Sequence, residues 1–172
     1  MNKHVVIVII ASIIIASPIV FSGWNIFAAE QLQFSRAEER FNYFDIINDG
    51  KISVCNPLPF YLNFNRINIV MIFDEKSKGS FGIPNTTLPP VSSSVLKGVF
   101  KSQTFVEAQY LSLHFDGMFG SSAPVRIDPS RFFIITEIQT PIIGVIPYSV
   151  TKQYSGLDFW NIMNEKNDVF SC

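Results

Sequence analysis

The chain has 172 residues, enough for one domain of ordinary size and a short appendage. Hydrophobic residues make up 48 % of it, 17 of them phenylalanine, so a sizeable core is within reach. A formal net charge of −1, with no run of Lys or Arg, excludes the electrostatic footprint of a nucleic-acid-binding protein.

Lys3 is the last charge before a charge-free run from Val5 to Ala29. As a helix that run reaches about 37 Å, enough to cross a hydrocarbon core of about 30 Å. Pro18 and Gly23 are tolerated in a membrane helix, and Trp24 and Phe27 sit where interfacial aromatics are expected. Residues 1–29 therefore read as a retained membrane anchor, with Lys3 on the inner side and the rest of the chain outside. The alternative is a cleaved signal peptide followed by secretion. Cleavage wants small residues at −3 and −1; cutting after Ala29 or Ala28 puts Phe27 or Ile26 at −3, and only Val20-Phe21-Ser22 is passable. Residues 30–40 are polar and read as a helical stalk, with Leu32, Ala37, Phe41 and Phe44 forming a weak apolar stripe.

Residues 41–154 form the body. Phe41–Ile47 reads as a first strand, joined by the turn Asn48-Asp49-Gly50 to a strand at Lys51–Cys55. Asp45, Asp49 and Gly50 mimic half of a calcium loop, but Ile47 and Asn56 occupy positions that need acidic ligands, so the turn is preferred. Asn56-Pro57-Leu58-Pro59 breaks the ladder: neither proline has a backbone donor, and Asn56 can bond the backbone locally to fix a corner. Apolar residues then alternate at 60, 62 and 64, and again at 67, 69, 71 and 73, one step out of phase. A bulge near Asn65 reconciles the two halves. Asp74–Gly79 is a charged hairpin loop, Ser80–Thr87 a strand interrupted at Pro84, Leu88-Pro89-Pro90 a second corner, and Val91–Ser102 a further strand.

A strand, an Asn-Pro corner (Asn56, Pro57), an aromatic-rich strand, a charged hairpin with Gly79, then Leu88-Pro89-Pro90-Val91-Ser92 leading into a strand resembles the group-2 late embryogenesis abundant family. Its domain is also called the water-stress and hypersensitive-response domain. The similarity covers about residues 50 to 102. It implies an immunoglobulin-like or fibronectin-like antiparallel β-sandwich with one added helix, no cofactor, and an association with desiccation or stress.

Further along, Thr104 followed three residues later by Glu107 fits a helix start, with Phe105, Ala108, Leu111 and Phe115 on one face and Gly117 as the stop. That helix is expected to cover an end or edge of a sheet. Pro124–Ile127 and Arg131–Ile138 read as strands around Asp128-Pro129-Ser130, and Pro141 opens a last strand at Ile142–Val150. Seven short strands with Pro or Gly corners favour a β-sandwich over an α/β fold. Residues 155–172 read as a short helix started by Ser155 and Asp158, carrying Leu157, Trp160 and Met163, with a polar tail from Glu165.

Candidate chemistry is sparse. Cys55 and Cys172 are the only cysteines, and export would permit a disulfide that clips the C-terminus to the Asn-Pro corner. Cys55, His114 and Met118 suggest copper, but a second histidine is missing, since His4 lies in the anchor. No Gly-x-Ser-x-Gly turn accompanies Ser92–Ser94, placed in a solvent-side corner, and Asp116 and Asp128 read as loop-capping acids before an acid–base pair. Asn85-Thr86-Thr87 is an N-glycosylation acceptor pattern. The expectation is a non-catalytic, membrane-tethered domain outside the cell membrane, with no metal, cofactor or small-molecule substrate. Its partners would be the membrane, through Val5–Ala29, and other membrane or envelope proteins. The alternative is an accessory subunit of a membrane complex, for which Ser12, Ala16 and Gly23 would allow close helix contact; an extracytoplasmic enzyme ranks behind both.

Overall fold

Among the described residues every strand pairing is antiparallel, and alternate-residue burial explains which side chains face inward. The structure, a computed structural model, describes residues 3–34, 40–120, 127–143 and 145–164. Helix α1 spans Lys3–Gln31, with Pro18 inside it. It is followed by β1 (Gln33–Phe34), α2 (Tyr43–Asn48), β2 (Lys51–Asn56), β3 (Leu62–Phe64), β4 (Arg66–Phe73), β5 (Lys76–Ile83) and β6 (Thr86–Leu88). Then come β7 (Ser92–Lys97), β8 (Val99–Lys101), α3 (Phe105–Gly120), a 3-10 turn (Pro129–Arg131), β9 (Phe132–Ile142), β10 (Ile146–Ser155) and α4 (Gly156–Asn164). The strands form a five-stranded sheet in the order β10-β9-β4-β5-β8, a three-stranded sheet β1-β2-β7, and the pair β3-β6. Beyond α1 the domain is mainly β.

In β4, Ile67, Ile69 and Met71 are buried, and in β9 Phe132, Ile134, Thr136, Ile138 and Thr140 are. Period-2 burial of this kind is what a sheet with one covered face requires. Residues from both larger sheets and from all four helices join one hydrophobic cluster. At its far end the cluster is aromatic. Phe115 of α3 stacks on Phe132 at 4.1 Å between centroids, and Tyr43 meets Phe132 edge-on at 5.1 Å. The Tyr43 hydroxyl donates to the Gly156 carbonyl at 2.5 Å, giving the buried phenol the partner it needs. Burial, and then the Asp116 charge, push its pKa well above the usual value.

Several expectations are corrected. Phe41–Ile47 is not a strand: Tyr43, Ile46 and Ile47 are buried at helical spacing in α2. The polar stalk is not a free helix. The chain leaves α1 after Gln31, and β1 pairs with Val54 and Cys55 of β2, burying Leu32 and Phe34; the expected stripe residue Ala37 lies outside the described residues. The phase change at Asn65 is no bulge within one strand. There the chain passes from the β3-β6 pair into the five-stranded sheet, and the register shift of β4 against β5 lies at Met71/Ile72 instead. Gly98 divides Val91–Ser102 the same way, with β7 and β8 in different sheets.

The hairpin loop expected at Asp74–Gly79 is only Asp74-Glu75, both at positive φ as in a tight primed turn. Ser92–Ser94 lie in β7, paired with β2, and not in a corner. Pro141 sits inside β9 opposite Pro147, so the last strand begins at Ile146. Helix α3 continues past Gly117 to Gly120. Ile127 is a bend, while 124–126 and the tail from Glu165 lie outside the described residues. Helix α4 starts where expected: Ser155 Oγ accepts from the Asp158 amide at 3.0 Å and donates to its carboxylate at 2.7 Å. Phe159, Trp160 and Met163 are its buried residues, and Leu157 is exposed.

Gly156 is where α4 meets the sheet. A Cβ there would lie 2.0 Å from the Phe132 ring, which is itself fully buried. Replacing Gly156 by Ala is expected to destabilise the fold by about 1–3 kcal/mol through overpacking. Gly23→Ala, with nothing within 4 Å of the new atom, is expected to be neutral. Denaturant midpoints of the two full-length variants check this; equal midpoints would contradict the tight packing at Phe132.

Candidate functional site

A set of long-range polar contacts lies where α1 meets the strands. Ser22, Asn25, Ala28 and Ala29 are buried, although most of the helix before them is bare. Asn25 Oδ1 accepts from the Asn63 amide of β3 at 3.1 Å. The Asn63 side chain accepts from Thr87 of β6 at 2.7 Å, and its carbonyl accepts from Thr140 of β9 at 3.3 Å. One residue thus ties the helix, the small strand pair and the large sheet. Ser22 Oγ donates back to the Pro18 carbonyl at 2.8 Å and accepts from the Ile143 amide at 2.6 Å. Lys152 of β10 donates to the Glu30 carbonyl, setting a cation at the negative end of the helix dipole. Trp24 stacks on Phe60 at 5.1 Å. None of these anchoring residues was singled out as a docking set from the sequence. Ser22, Asn25 and Ala29 share one helix face, and an asparagine inside a charge-free apolar run is the signal that could have found them.

Asn56 holds the Asn-Pro corner. Asn56 is fully buried, and its Nδ2 donates to the Phe60 carbonyl at 2.9 Å and the Pro89 carbonyl at 2.7 Å. Its Oδ1 accepts from the Leu58 amide at 3.0 Å. Asn56 therefore joins the Pro57 corner to the Pro89-Pro90 corner, and the Val91 amide donates to the Leu58 carbonyl at 3.0 Å. Cys55 is buried beside it, and the described residues hold no free cysteine; the expected partner Cys172 lies outside them.

Other candidates are held apart. Cys55 is on β2, while His114 and Met118 are on α3. His114 packs on Tyr110 with its Nδ1 3.3 Å from the Tyr110 carbonyl oxygen. Among the described residues no three His, Cys, Asp or Glu side chains come together as a metal site would require. Asp128 caps the 3-10 turn through the Ser130 amide and hydroxyl at 2.9 and 2.7 Å, which hold its pKa below the usual value. Asn85 is exposed in the turn between β5 and β6. Beside it lies an open cleft of about 390 Å³, lined by Asn65, Arg66, Ser80, Gly82, Asn85 and Lys101 among others. Its two cations and three polar side chains suit a small polar or anionic surface ligand, and its lining contains no nucleophile–base pair.

Asp116 is the described acid most perturbed. Its two oxygens accept from the Tyr43 and Phe44 amides at 2.8 and 2.9 Å, so a carboxylate on α3 caps the first turn of α2. Burial raises its pKa to about 6, against the lowering by those amides; Asp45 adds to the rise and Arg40 opposes it.

No family model matches the chain. No curated protein matches it either. A crystal structure of a protein from Archaeoglobus fulgidus is similar over 63 % of this chain and 88 % of that one, at 8 % identity and a TM-score of 0.31, a likeness too slight to carry fold or function.

Because the folded-state pKa of Asp116 lies above its unfolded value of 3.8, the native protein holds a proton that the unfolded chain has already lost between about pH 4 and 6. The contribution is full below pH 4 and fades as pH rises through 6, a fall of order 3 kcal/mol at most. Urea midpoints measured across pH 4–6 should show this component in the wild type and lose it in Asp116→Asn; equal slopes would contradict it.

Proposed function

We propose that this chain is a membrane-tethered domain facing outward, which acts through its surface without catalysis, in stress protection or envelope interactions. The two larger sheets are read as the layers of an immunoglobulin-like or fibronectin-like sandwich. Support for that reading comes from inward burial in β4 and β9 and from the sheet changes at Asn65 and Gly98. The observation that carries the tether is the condition of α1. It is long and apolar enough to cross a membrane, and Ile7, Val8, Ile13, Ile14 and Ile15 are more than 60 % exposed, so its upper length needs an apolar solvent.

The stress role rests on the resemblance to the group-2 late embryogenesis abundant family. The two corners that carry it are bonded to each other through Asn56. Asp116 and Asp128 both cap backbone: Asp116 accepts the Tyr43 and Phe44 amides on its two oxygens, and Asp128 accepts the Ser130 amide on Oδ1.

The expected outcome in source cells is that the full-length chain, with residues 1–22 present by mass, stays in the membrane pellet after alkaline carbonate washing. Deleting it should lower survival of drying or osmotic shock, and re-expression should restore survival. A carbonate-soluble chain lacking its first 22 residues would overturn the tether. Unchanged survival, or turnover by the solubilised chain in a broad hydrolase screen, would overturn the role.

A further inference from the structure

The β9–β10 turn carries large aliphatic side chains and no charge. From Ile138 to Thr151 the sequence holds no Asp, Glu, Lys or Arg. Val145 is 80 % exposed, Ile146 55 % and Ile143 46 %. Hairpin tips in water are normally built from small polar residues. Ile143 is also β-branched and held at φ +51°, a left-handed conformation that such residues avoid. Its amide is secured by Ser22 Oγ at 2.6 Å.

That bond fixes the level of the tip along α1. Between Lys3 and Ser22 the helix rises about 28 Å, against a hydrocarbon core of about 30 Å. With Lys3 at the inner boundary, Ile143 meets α1 close to the outer one. The next charged residue on the helix, Glu30, stands about 12 Å beyond Ser22. Exposed aromatics gather at the same end: Trp24 on α1, Tyr61 next in sequence to Phe60, on which Trp24 stacks, and Tyr148 at the start of β10. Such side chains settle at a bilayer interface. On the outward faces of β4 and β9, polar Arg66, Asn68, Glu137 and Gln139 come between the tip and the apolar Val70, Ile72, Ile135 and Phe133 farther along.

We infer that the β9–β10 tip is a second membrane-inserting element, with Ile143, Val145 and Ile146 entering the acyl boundary of the outer leaflet beside α1. The inference rests on the reading of α1 as a spanning helix and adds a specific contact to it. Two attachment points, helix and hairpin, fix the domain's orientation on the bilayer. The charge-free turn, its bond to Ser22 and the aromatic ring around it select lipid as the occupant.

The test uses the full chain with the photocrosslinker benzoylphenylalanine at one position at a time, reconstituted in phosphatidylcholine–phosphatidylglycerol vesicles with radiolabelled acyl chains. Position 14, in the bare part of α1, reports the spanning helix. Position 145 reports the hairpin, and position 106, an exposed valine at the start of α3, reports domain surface. Lipid adducts at 145 are expected at a yield comparable to 14 and roughly tenfold above 106. Adducts at 14 with 145 no better than 106 would overturn the hairpin contact and leave the anchor standing. Adducts at neither 14 nor 145 would overturn both. Crosslinking from 145 to protein in place of lipid would assign the tip to a second copy or a partner helix, and would also overturn it.

Discussion

The fold depends on what happens at Asn63. Three hydrogen bonds there, its amide to Asn25 and its carbonyl and side chain to Thr140 and Thr87, hold the last turns of α1 against both strand systems. An apolar helix could hang from a domain by a flexible stalk and leave no mark on it. Here the helix is continuous with the core: Ala28, Ala29, Leu32 and Phe34 join the same cluster as Phe64 and Ile67. The buried oxygens of Asn25 and Ser22 find backbone donors, while Asn25 Nδ2 is buried without a partner. A helix built this way transmits its own orientation to the domain. The geometry of attachment is part of the fold.

From that end β9 runs the full height of the sheet, from Ile142 beside α1 to Phe132 at the aromatic end, about 33 Å at strand spacing. The far end is closed by stacked rings and by helices that cap one another. Asp116 of α3 supplies the amide partners of α2, and Asn164 of α4 bonds both the amide and the carbonyl of Phe41 at 3.0 and 3.2 Å. Arg40 lies over the Trp160 ring at 4.9 Å and covers the same corner. The two ends differ in kind, aliphatic and aromatic-rimmed at the helix, ring-packed and capped at the other. That asymmetry is what a domain seated on an apolar phase would need.

What the sequence made legible was local chemistry. Pro and Asn fixed both corners, the primed turn at Asp74-Glu75 had its charges, Ser155 announced α4, and the phase change at Asn65 marked a real break in the strand. What it hid was chemistry supplied from far away. Helix α2 reads as a strand because Asn42 gives it no side-chain cap; its first amides are satisfied by Asp116, more than seventy residues on. A phase slip looks the same whether a strand bulges or changes sheets, and only the partner strands distinguish the two. β1 was masked by its polar neighbours, though Leu32 and Phe34 alternate correctly. The docking face of α1 was overlooked because charge-free runs are read for length, whereas Ser22, Asn25 and Ala29 become meaningful only by spacing.

The most direct measurement of whether α1 and the domain are one unit is hydrogen exchange at the Asn63 amide, in the full-length protein and in Asn25→Ala. If the helix is docked, that amide exchanges slowly in the wild type and speeds up by about tenfold or more in the variant, while the β4–β9 ladder keeps its protection. Fast exchange at Asn63 in the wild type, or the same rate in both proteins, would mean that the helix does not hold the domain and that the proposed seating on the bilayer is wrong.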